Sequence, residues 1–403
     1  MKRQILLFCT AVALTSCGIH QIDGDDTRQP SNNGVWGGFN DTSSGSETLR
    51  SVCYVTAMDY QKDYDWRSDR SPESVKCSLV VFADGVPIMK VPVGEAHEVS
   101  ADPDMHRIVK GHLYTDYSTE TETVIKRDGR PLFRYEGRES LCGLEVIGED
   151  VYTLGQNRSG NGFSFRRNGE FLLQRGTGSL IGVMQNENDN LSFAFLDIVR
   201  NAEGEAARYY LAVNGKVSQV AVRDDIKTVW DIIMSDGRTI YLATLVGLAS
   251  PVIVDGESII SLNLPSGSSL VSCRLINTEG RFWVNGVCRN SNGMLYDVIW
   301  SDNEIHTTFP AGKTMVSLKM NGGEVYGVMN PSGKGQGQIY RCGESFGMPS
   351  GFRTMGESCA RVIDGIFHVG LSDTEGRKPI LWKDGETDSL RVNGYISSIY
   401  SEP

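Results

Sequence analysis

The sequence predicts an all-β protein, and more specifically a β-propeller with eight blades. Three observations support this prediction. Hairpin-turn signals recur at a nearly constant spacing, an aromatic residue lies on a strand segment before each signal, and no long stretch shows the apolar period of a helix. A repeat of about 43 residues with four short strands is typical of a propeller blade.

The turn signals are Asp-Gly and Asn-Gly pairs or close variants of them, which supply the positive φ that a type I′ hairpin requires. They are Ala83-Asp84-Gly85, Arg127-Asp128-Gly129, Arg167-Asn168-Gly169, Val213-Asn214-Gly215, Val254-Asp255-Gly256, Ser301-Asp302-Asn303, Arg341-Cys342-Gly343 and Lys383-Asp384-Gly385. Successive signals lie 40 to 47 residues apart. This spacing indicates one structural unit for each turn.

A column of aromatic residues runs in step with these turns. Its members are Tyr54, Tyr114, Tyr152, Phe193, Tyr241, Trp283, Tyr326 and Phe367. An apolar strand and a short Gly/Asp/Asn turn usually precede each aromatic strand. Each unit is therefore predicted to run strand, turn, aromatic strand, loop, strand, hairpin, strand, with the aromatic residues packed between blades.

The first unit begins at its aromatic strand and lacks the apolar strand that precedes it elsewhere. A spare strand with the right pattern lies in the C-terminal segment 396–402, which resembles residues 230–236. We predict that this segment is the innermost strand of the first blade and closes the ring, which removes an exposed sheet edge. A seven-bladed ring with one degenerate unit is the alternative.

The first 17 residues combine a positive start with a short apolar run and end in Leu14-Thr15-Ser16-Cys17. This ending resembles the lipobox of bacterial lipoprotein precursors. The resemblance implies cleavage before Cys17 and attachment of lipid to that residue, which would anchor the chain to a membrane. An ordinary secretory signal with an incidental cysteine is the alternative.

Residues 18–50 are rich in Gly, Ser, Asn and Asp and predict a flexible tether. Asp23, Asp25 and Asp26 are similar to the acidic export signals of Bacteroidetes surface lipoproteins, a similarity that implies the outer face of the outer membrane. A solvated acidic linker on a periplasm-facing protein is the alternative.

The units of residues 51–403, most clearly Pro379-Ile380-Leu381-Trp382-Lys383-Asp384-Gly385-Glu386, resemble the "LWKNG" repeats of Bacteroidetes propeller lipoproteins. The resemblance implies a propeller domain in the cell envelope. It implies little about activity, because that family is largely uncharacterised.

Composition narrows the possible partners. The net charge is −11 and no basic cluster is present, which argues against nucleic acid. No motif for a cofactor or a metal appears. The envelope permits disulfides, and the expected register makes Cys53–Cys77 and Cys273–Cys288 the candidate pairs. Seven cysteines follow Cys17, so at least one thiol stays unpaired, and small buried apolar residues are the alternative for several of them.

The candidate binding site is an insertion in the first unit, DYQKDYDWRSDRSPES, at residues 59–74. It is expected on the end of the propeller that carries the blade-to-blade connections, where propellers usually meet ligands. Its candidate ligand-binding residues are Tyr60, Tyr64, Asp65, Trp66, Arg67, Asp69 and Arg70, which combine aromatic rings with charged groups. The alternative is an insertion whose rings pack on the adjoining blade.

These observations favour a non-catalytic, lipid-anchored envelope protein that binds a carbohydrate or another protein. No catalytic residue can be assigned. Two alternatives remain, a scaffold of an outer-membrane assembly and a polysaccharide-degrading enzyme, because an all-β propeller can serve any of these roles. The enzyme would require a pair of carboxylates at the mouth of the channel.

Overall fold

The computed structural model describes residues 51–62, 64–65, 76–93, 105–119, 121–157, 162–201, 204–278, 281–331, 335–373 and 378–402. These residues form eight antiparallel sheets arranged as the blades of a β-propeller. The predicted fold class and blade number are confirmed. Across the described ranges, no helix is both long enough and apolar enough to cross a bilayer.

Strands are numbered in chain order, and each blade is given from its innermost strand outward. Blades 1 and 2 consist of β33 (Ile396–Glu402), β1 (Val52–Tyr60), β2 (Cys77–Ala83) and β3 (Val86–Pro92), and of β4 (His106–Val109), β5 (His112–Ser118), β6 (Glu122–Arg127) and β7 (Arg130–Glu136). Blade 3 consists of β8 (Glu139–Ile147), β9 (Asp150–Asn157), β10 (Phe163–Arg167) and β11 (Glu170–Arg175). Blade 4 consists of β12 (Ser179–Glu187), β13 (Asn190–Asn201), β14 (Gly204–Val213) and β15 (Lys216–Val220).

Blades 5 and 6 consist of β16 (Ile226–Ser235), β17 (Arg238–Leu245), β18 (Pro251–Asp255) and β19 (Ser258–Ser261), and of β20 (Ser269–Thr278), β21 (Arg281–Arg289), β22 (Leu295–Ser301) and β23 (Glu304–Thr308). Blade 7 consists of β24 (Lys313–Asn321), β25 (Glu324–Pro331), β26 (Gln338–Arg341) and β27 (Glu344–Gly347). Blade 8 has an innermost strand in two pieces, β28 (Phe352–Arg353) and β29 (Ala360–Ile363), followed by β30 (Ile366–Asp373), β31 (Ile380–Lys383) and β32 (Glu386–Ser389). In blade 8 a 3-10 helix, η1 (Glu357–Cys359), separates the two inner pieces.

The innermost strands form the wall of a central channel. β33 contacts β4, β4 contacts β8, and on the other side of the ring β29 contacts β33. Because neighbouring strands are antiparallel, the turns after the first and third strands of each blade lie at one end of the channel. We call this the turn end. The loops after the second strands and the connections between blades lie at the opposite loop end.

The C-terminal strand closes the ring as predicted. β33 pairs with β1, with Val55 opposite Ile399 and Tyr54 opposite Tyr400. Val55 and Ile399 are both buried in the apolar core that joins blades 8 and 1. The first blade is therefore assembled from residues more than 300 positions apart in the chain.

The repeated Asp or Asn of the hairpins does more than adopt a positive φ. Asn168, with φ of 51°, accepts a hydrogen bond at its side-chain Oδ1 from the amide of Val151 at 2.9 Å. Its own amide donates to the Val151 carbonyl at 2.8 Å. Asp84, Asp128, Asn214 and Asp384 form the same side-chain bond in their blades. In these five blades the residue thus ties the outer hairpin to the aromatic strand.

The aromatic column packs in the blades and between them, as predicted. Phe193 of blade 4 lies 5.3 Å from Phe165 of blade 3, measured between ring centroids, and both are buried. Tyr326 and Phe367 make a similar contact between blades 7 and 8, at 5.2 Å. These contacts hold neighbouring sheets together through buried apolar area.

Two predictions of detail are wrong. The predicted disulfides Cys53–Cys77 and Cys273–Cys288 do not form. Cys77 pairs with Tyr60 at the far end of the strands from Cys53, and Cys273 lies opposite Gly286 rather than Cys288. The fifth hairpin is shifted by one residue, because Asp255 pairs with Ser258 and the turn residues are 256 and 257.

Candidate functional site

Charged side chains at the channel wall come mainly from one repeated position, two residues before the end of the innermost strand. The position is occupied by Tyr400, Arg107 and Glu145 in blades 1 to 3, and by Lys319 and Arg361 in blades 7 and 8. The shared register places these residues at one level of the channel, near its turn end.

Blades 4 to 6 carry uncharged residues at this position, namely Gln185, Ile233 and Ile276. Charge is therefore concentrated on one side of the channel. Arg274 of β20 and Glu357 of η1 join it there. We use the name channel cluster for Arg107, Arg274, Lys319 and Arg361 together with Glu145 and Glu357.

One part of the cluster is a pair between blades 2 and 3. Arg107 donates from Nε and Nη2 to Oε1 of Glu145, at 3.3 and 3.2 Å, and from Nη1 to the carbonyl of His106 at 3.0 Å. The side chains remain 30% and 25% exposed. This pair is accessible to solvent, and its two charges balance each other.

The second part joins three blades around one carboxylate. Arg274 donates from Nη1 to Oε2 of Glu357 at 3.1 Å, and the Lys319 Nζ lies 3.7 Å from Oε1 of the same group. Although burial opposes the effect, the two cations hold the pKa of Glu357 below its ordinary value. Burial lowers the pKa of Lys319, and Glu357 offsets only part of that shift.

Arg361 is the cation of the cluster that has no carboxylate partner within the described part of the chain. Its Nε donates to the Ser401 hydroxyl at 3.0 Å. Burial lowers the pKa of Arg361; Tyr400 and Glu145 oppose this shift, and the charge of Arg107 adds to it. The cluster therefore holds four cations and two carboxylates in a protein whose net charge is −11.

Residues 59–62 and 64–65 are the part of the predicted binding insertion that the structure describes, and they lie at the loop end, where β1 ends. Asn393, in the connection that leads to β33, donates from Nδ2 to the carbonyls of Gln61 and Tyr64 at 2.8 and 3.0 Å. These described residues therefore lie beside a blade-to-blade connection, at the end of the propeller opposite to the turn end.

Among the candidate residues of this insertion, the structure brings Tyr60 and Tyr64 into contact. Tyr60 is buried at the end of β1, with its ring centroid 5.2 Å from Tyr64 and 6.4 Å from Tyr395. Asp65 is exposed. Trp66, Arg67, Asp69 and Arg70, like Cys17, lie outside the described residues. A binding role for this loop stays a prediction.

His106 is held in the core by its neighbours. Its Nε2 lies 2.8 Å from the Thr56 hydroxyl, and burial lowers the pKa of His106 to about 3. The ring is therefore neutral at physiological pH and links blade 1 to blade 2. Within the described ranges, no group of three His, Cys, Asp or Glu residues is placed to hold a metal ion.

The channel cluster was not among the sequence-based candidates. Its residues come from five blades, and each looks like an ordinary surface charge in its own strand. A usable signal does exist. When the units are aligned on the turn that follows the innermost strand, one column collects Arg107, Glu145, Lys319 and Arg361, beside uncharged residues in blades 4 to 6.

No protein-family model and no curated protein matches the chain. Similar solved structures include the β-propeller domain of the Trilobed protease from Pyrococcus furiosus, at 12% identity and a TM-score of 0.45, over 74% of this chain and 94% of that one. The acylaminoacyl peptidase of Pyrococcus horikoshii matches at 13% identity and a TM-score of 0.45, over 73% of this chain and 52% of that one. Hsv2 of Kluyvelomyces marxianus matches at 10% identity and a TM-score of 0.39, over 72% of this chain and 100% of that one. These likenesses concern the fold alone.

Proposed function

We propose that this propeller binds an acidic carbohydrate in its central channel and leaves it chemically unchanged. The proposal is supported by the channel cluster, in which four cations face two carboxylates although the whole protein is acidic. A cleft with an excess of one charge attracts ligands of the opposite charge, and the effect is stronger where neighbouring atoms exclude water. The Ser401 residue, whose hydroxyl accepts from Nε of Arg361, is partly exposed and adds a hydroxyl beside the cations.

The carboxylates of the cluster are poorly suited to glycoside hydrolysis. That reaction needs one carboxylic acid that keeps a proton near neutral pH, which requires a raised pKa. The pKa of Glu357 is instead lowered, and Glu145 accepts two bonds from Arg107. Both groups are therefore committed to ion pairs, and binding without catalysis is the better interpretation.

A glycan array probed with the purified protein tests this function. Glycans that carry carboxylate or sulfate groups should bind, and their neutral counterparts should not. Lys319→Met should weaken binding. Lys216→Met, which removes the same charge from the exposed outer strand β15, is the matched control.

Equal binding by the two lysine variants would remove the channel from the proposal. A stable protein partner in membrane crosslinking, with no glycan bound, would favour the scaffold alternative. Turnover of a bound polysaccharide would favour the enzyme alternative.

We further propose that lipid on Cys17 anchors the propeller to the bacterial outer membrane, with residues 18–50 as the spacer and the propeller at the cell surface. The support is the lipobox-like sequence and the Bacteroidetes-type acidic segment behind it. Labelled palmitate should enter the wild-type protein and not Cys17→Ala. Protease added to intact cells should cleave a surface-exposed protein and spare a periplasm-facing one.

A further inference from the structure

The innermost strand of blade 8 differs from those of the other blades. It is split into β28 and β29, and the intervening residues form η1, whereas the other innermost strands, as far as they are described, are single segments. This interruption places Glu357 between Arg274 of blade 6 and Lys319 of blade 7. A carboxylate from one blade thus enters a cationic region built by its neighbours.

Both adjoining blades hold the backbone of η1 in place. The Ser317 hydroxyl of blade 7 donates to the carbonyl of Glu357 at 2.9 Å, and the Ser358 hydroxyl donates to the carbonyl of Ser397 in blade 1 at 3.1 Å. The Glu357 side chain nevertheless remains 51% exposed. The backbone is therefore fixed, while the carboxylate itself can turn away into the channel.

The two oxygens of Glu357 meet two different cations, Oε1 with Lys319 and Oε2 with Arg274. This arrangement is complementary to a carboxylate. Without an anion, Arg274, Lys319 and Arg361 would crowd three positive charges together, which is unfavourable where surrounding atoms limit hydration. Glu357 supplies that anion in the free protein.

We propose that Glu357 occupies the place of a ligand carboxylate, and that a sugar bearing a carboxylate binds by displacing it from Arg274 and Lys319. The inference rests on the proposed function and specifies its ligand class. One carboxylate replaces another, so the number of ion pairs at Arg274 and Lys319 is conserved. Arg361 uses its Nε for Ser401, and within the described residues its Nη groups have no carboxylate partner and can make an additional contact. A neutral sugar offers nothing to replace Glu357 and is rejected.

The test is calorimetric titration of the purified protein with D-glucuronate at low ionic strength, with D-glucose as the neutral probe. Glu357→Gln removes the internal competitor and should bind glucuronate about tenfold more tightly than wild type, since one charge contact between close groups is commonly sufficient for such a factor. Glu386→Gln, on the exposed outer strand β32, is the matched control and should bind like wild type. Glu357→Ala serves if the first variant does not fold.

The outcomes separate the two proposals. Wild-type binding of glucuronate with equal or weaker binding by Glu357→Gln overturns the displacement and leaves the proposed function standing. If Glu357→Gln gained as much affinity for sulfate as for glucuronate, the preference for a carboxylate would be overturned. Failure of every form to bind glucuronate, with no acidic glycan retained on the array, overturns the proposed function itself.

Discussion

The side-chain bond from the outer hairpin to the aromatic strand leads to a sharp prediction at Asn168. This residue has two separable roles, because it adopts a φ of 51° and its Oδ1 accepts the amide proton of Val151 at 2.9 Å. Three substitutions distinguish these roles. Asn168→Asp keeps both, Asn168→Gly keeps the conformation alone, and Asn168→Ala keeps neither.

The expected magnitudes follow from the surroundings of Val151. That residue is 1% exposed and its amide bonds to the Asn168 side chain, so loss of the acceptor leaves a buried donor without a partner and costs about 1–3 kcal/mol. The left-handed backbone adds about 1 kcal/mol for alanine and nothing for glycine. The free energy of unfolding should therefore fall by about 1–3 kcal/mol in Asn168→Gly and by about 2–4 kcal/mol in Asn168→Ala. Asn168→Asp keeps both roles, as Asp does at Asp84, Asp128 and Asp384. It loses the bond that Asn168 Nδ2 donates to Oδ1 of Asp150 at 2.7 Å and places two exposed carboxylates together, so it should cost about 1 kcal/mol.

The measurement combines denaturant unfolding with hydrogen exchange. Unfolding gives the free-energy differences among the three variants. Exchange of the Val151 amide reports the bond directly and should accelerate in both Asn168→Gly and Asn168→Ala, while other amides in the core of blade 3 change less.

If Asn168→Gly matched wild type in stability and in hydrogen exchange at Val151, the side-chain bond would contribute nothing. The backbone conformation alone would then explain why Asp and Asn recur in the outer hairpins. If Asn168→Asp were as damaging as Asn168→Ala, the equivalence of Asp and Asn across the blades would be wrong.

Two further predictions concern ring closure and pH. Ile399→Ala should destabilise the protein by about 2–5 kcal/mol, because it leaves a cavity where β33 packs against blade 8. Hydrogen exchange of amides in β1, the strand paired with β33, should accelerate at the same time. Unchanged exchange in β1 would contradict closure of the ring by β33. Burial raises the pKa of Asp231 from 3.8 to about 6, so the folded state binds this proton more tightly than the unfolded chain. Its contribution is complete below pH 3.8 and is lost as the pH rises through 6, a change of about 3 kcal/mol. Asp231→Asn should flatten the stability profile between pH 4 and 7, and a profile parallel to wild type would refute the assignment.

The fold was largely predictable, because the signals that encode it are local and repeated. Hairpin residues with positive φ and alternating apolar strands recur in each unit, and the C-terminal strand could be assigned to blade 1 by its likeness to an inner strand. The second role of Asn168 was not predictable in the same way. A hydrogen bond to Val151 depends on how the third strand lies beside the second, and the turn sequence contains no record of that partner.

The candidate site was only partly predictable. The insertion after β1 is visible as extra length, and its position at the loop end follows from strand order. The contacts that bury Tyr60 against Tyr395 depend on a connection more than 300 residues away. The channel cluster depends on closure of the ring even more strongly, because Arg274 meets Glu357 only when blades 6, 7 and 8 stand side by side.

The sequence by itself determined the repeating unit, the number of blades and the strand that closes them, because each depends on periodic choices that every unit makes locally. Tertiary structure alone decided which charges became neighbours. Side chains that are 38 and 83 residues apart form ion pairs across the channel wall, and the attraction between them exists only after eight sheets have been packed around a common axis.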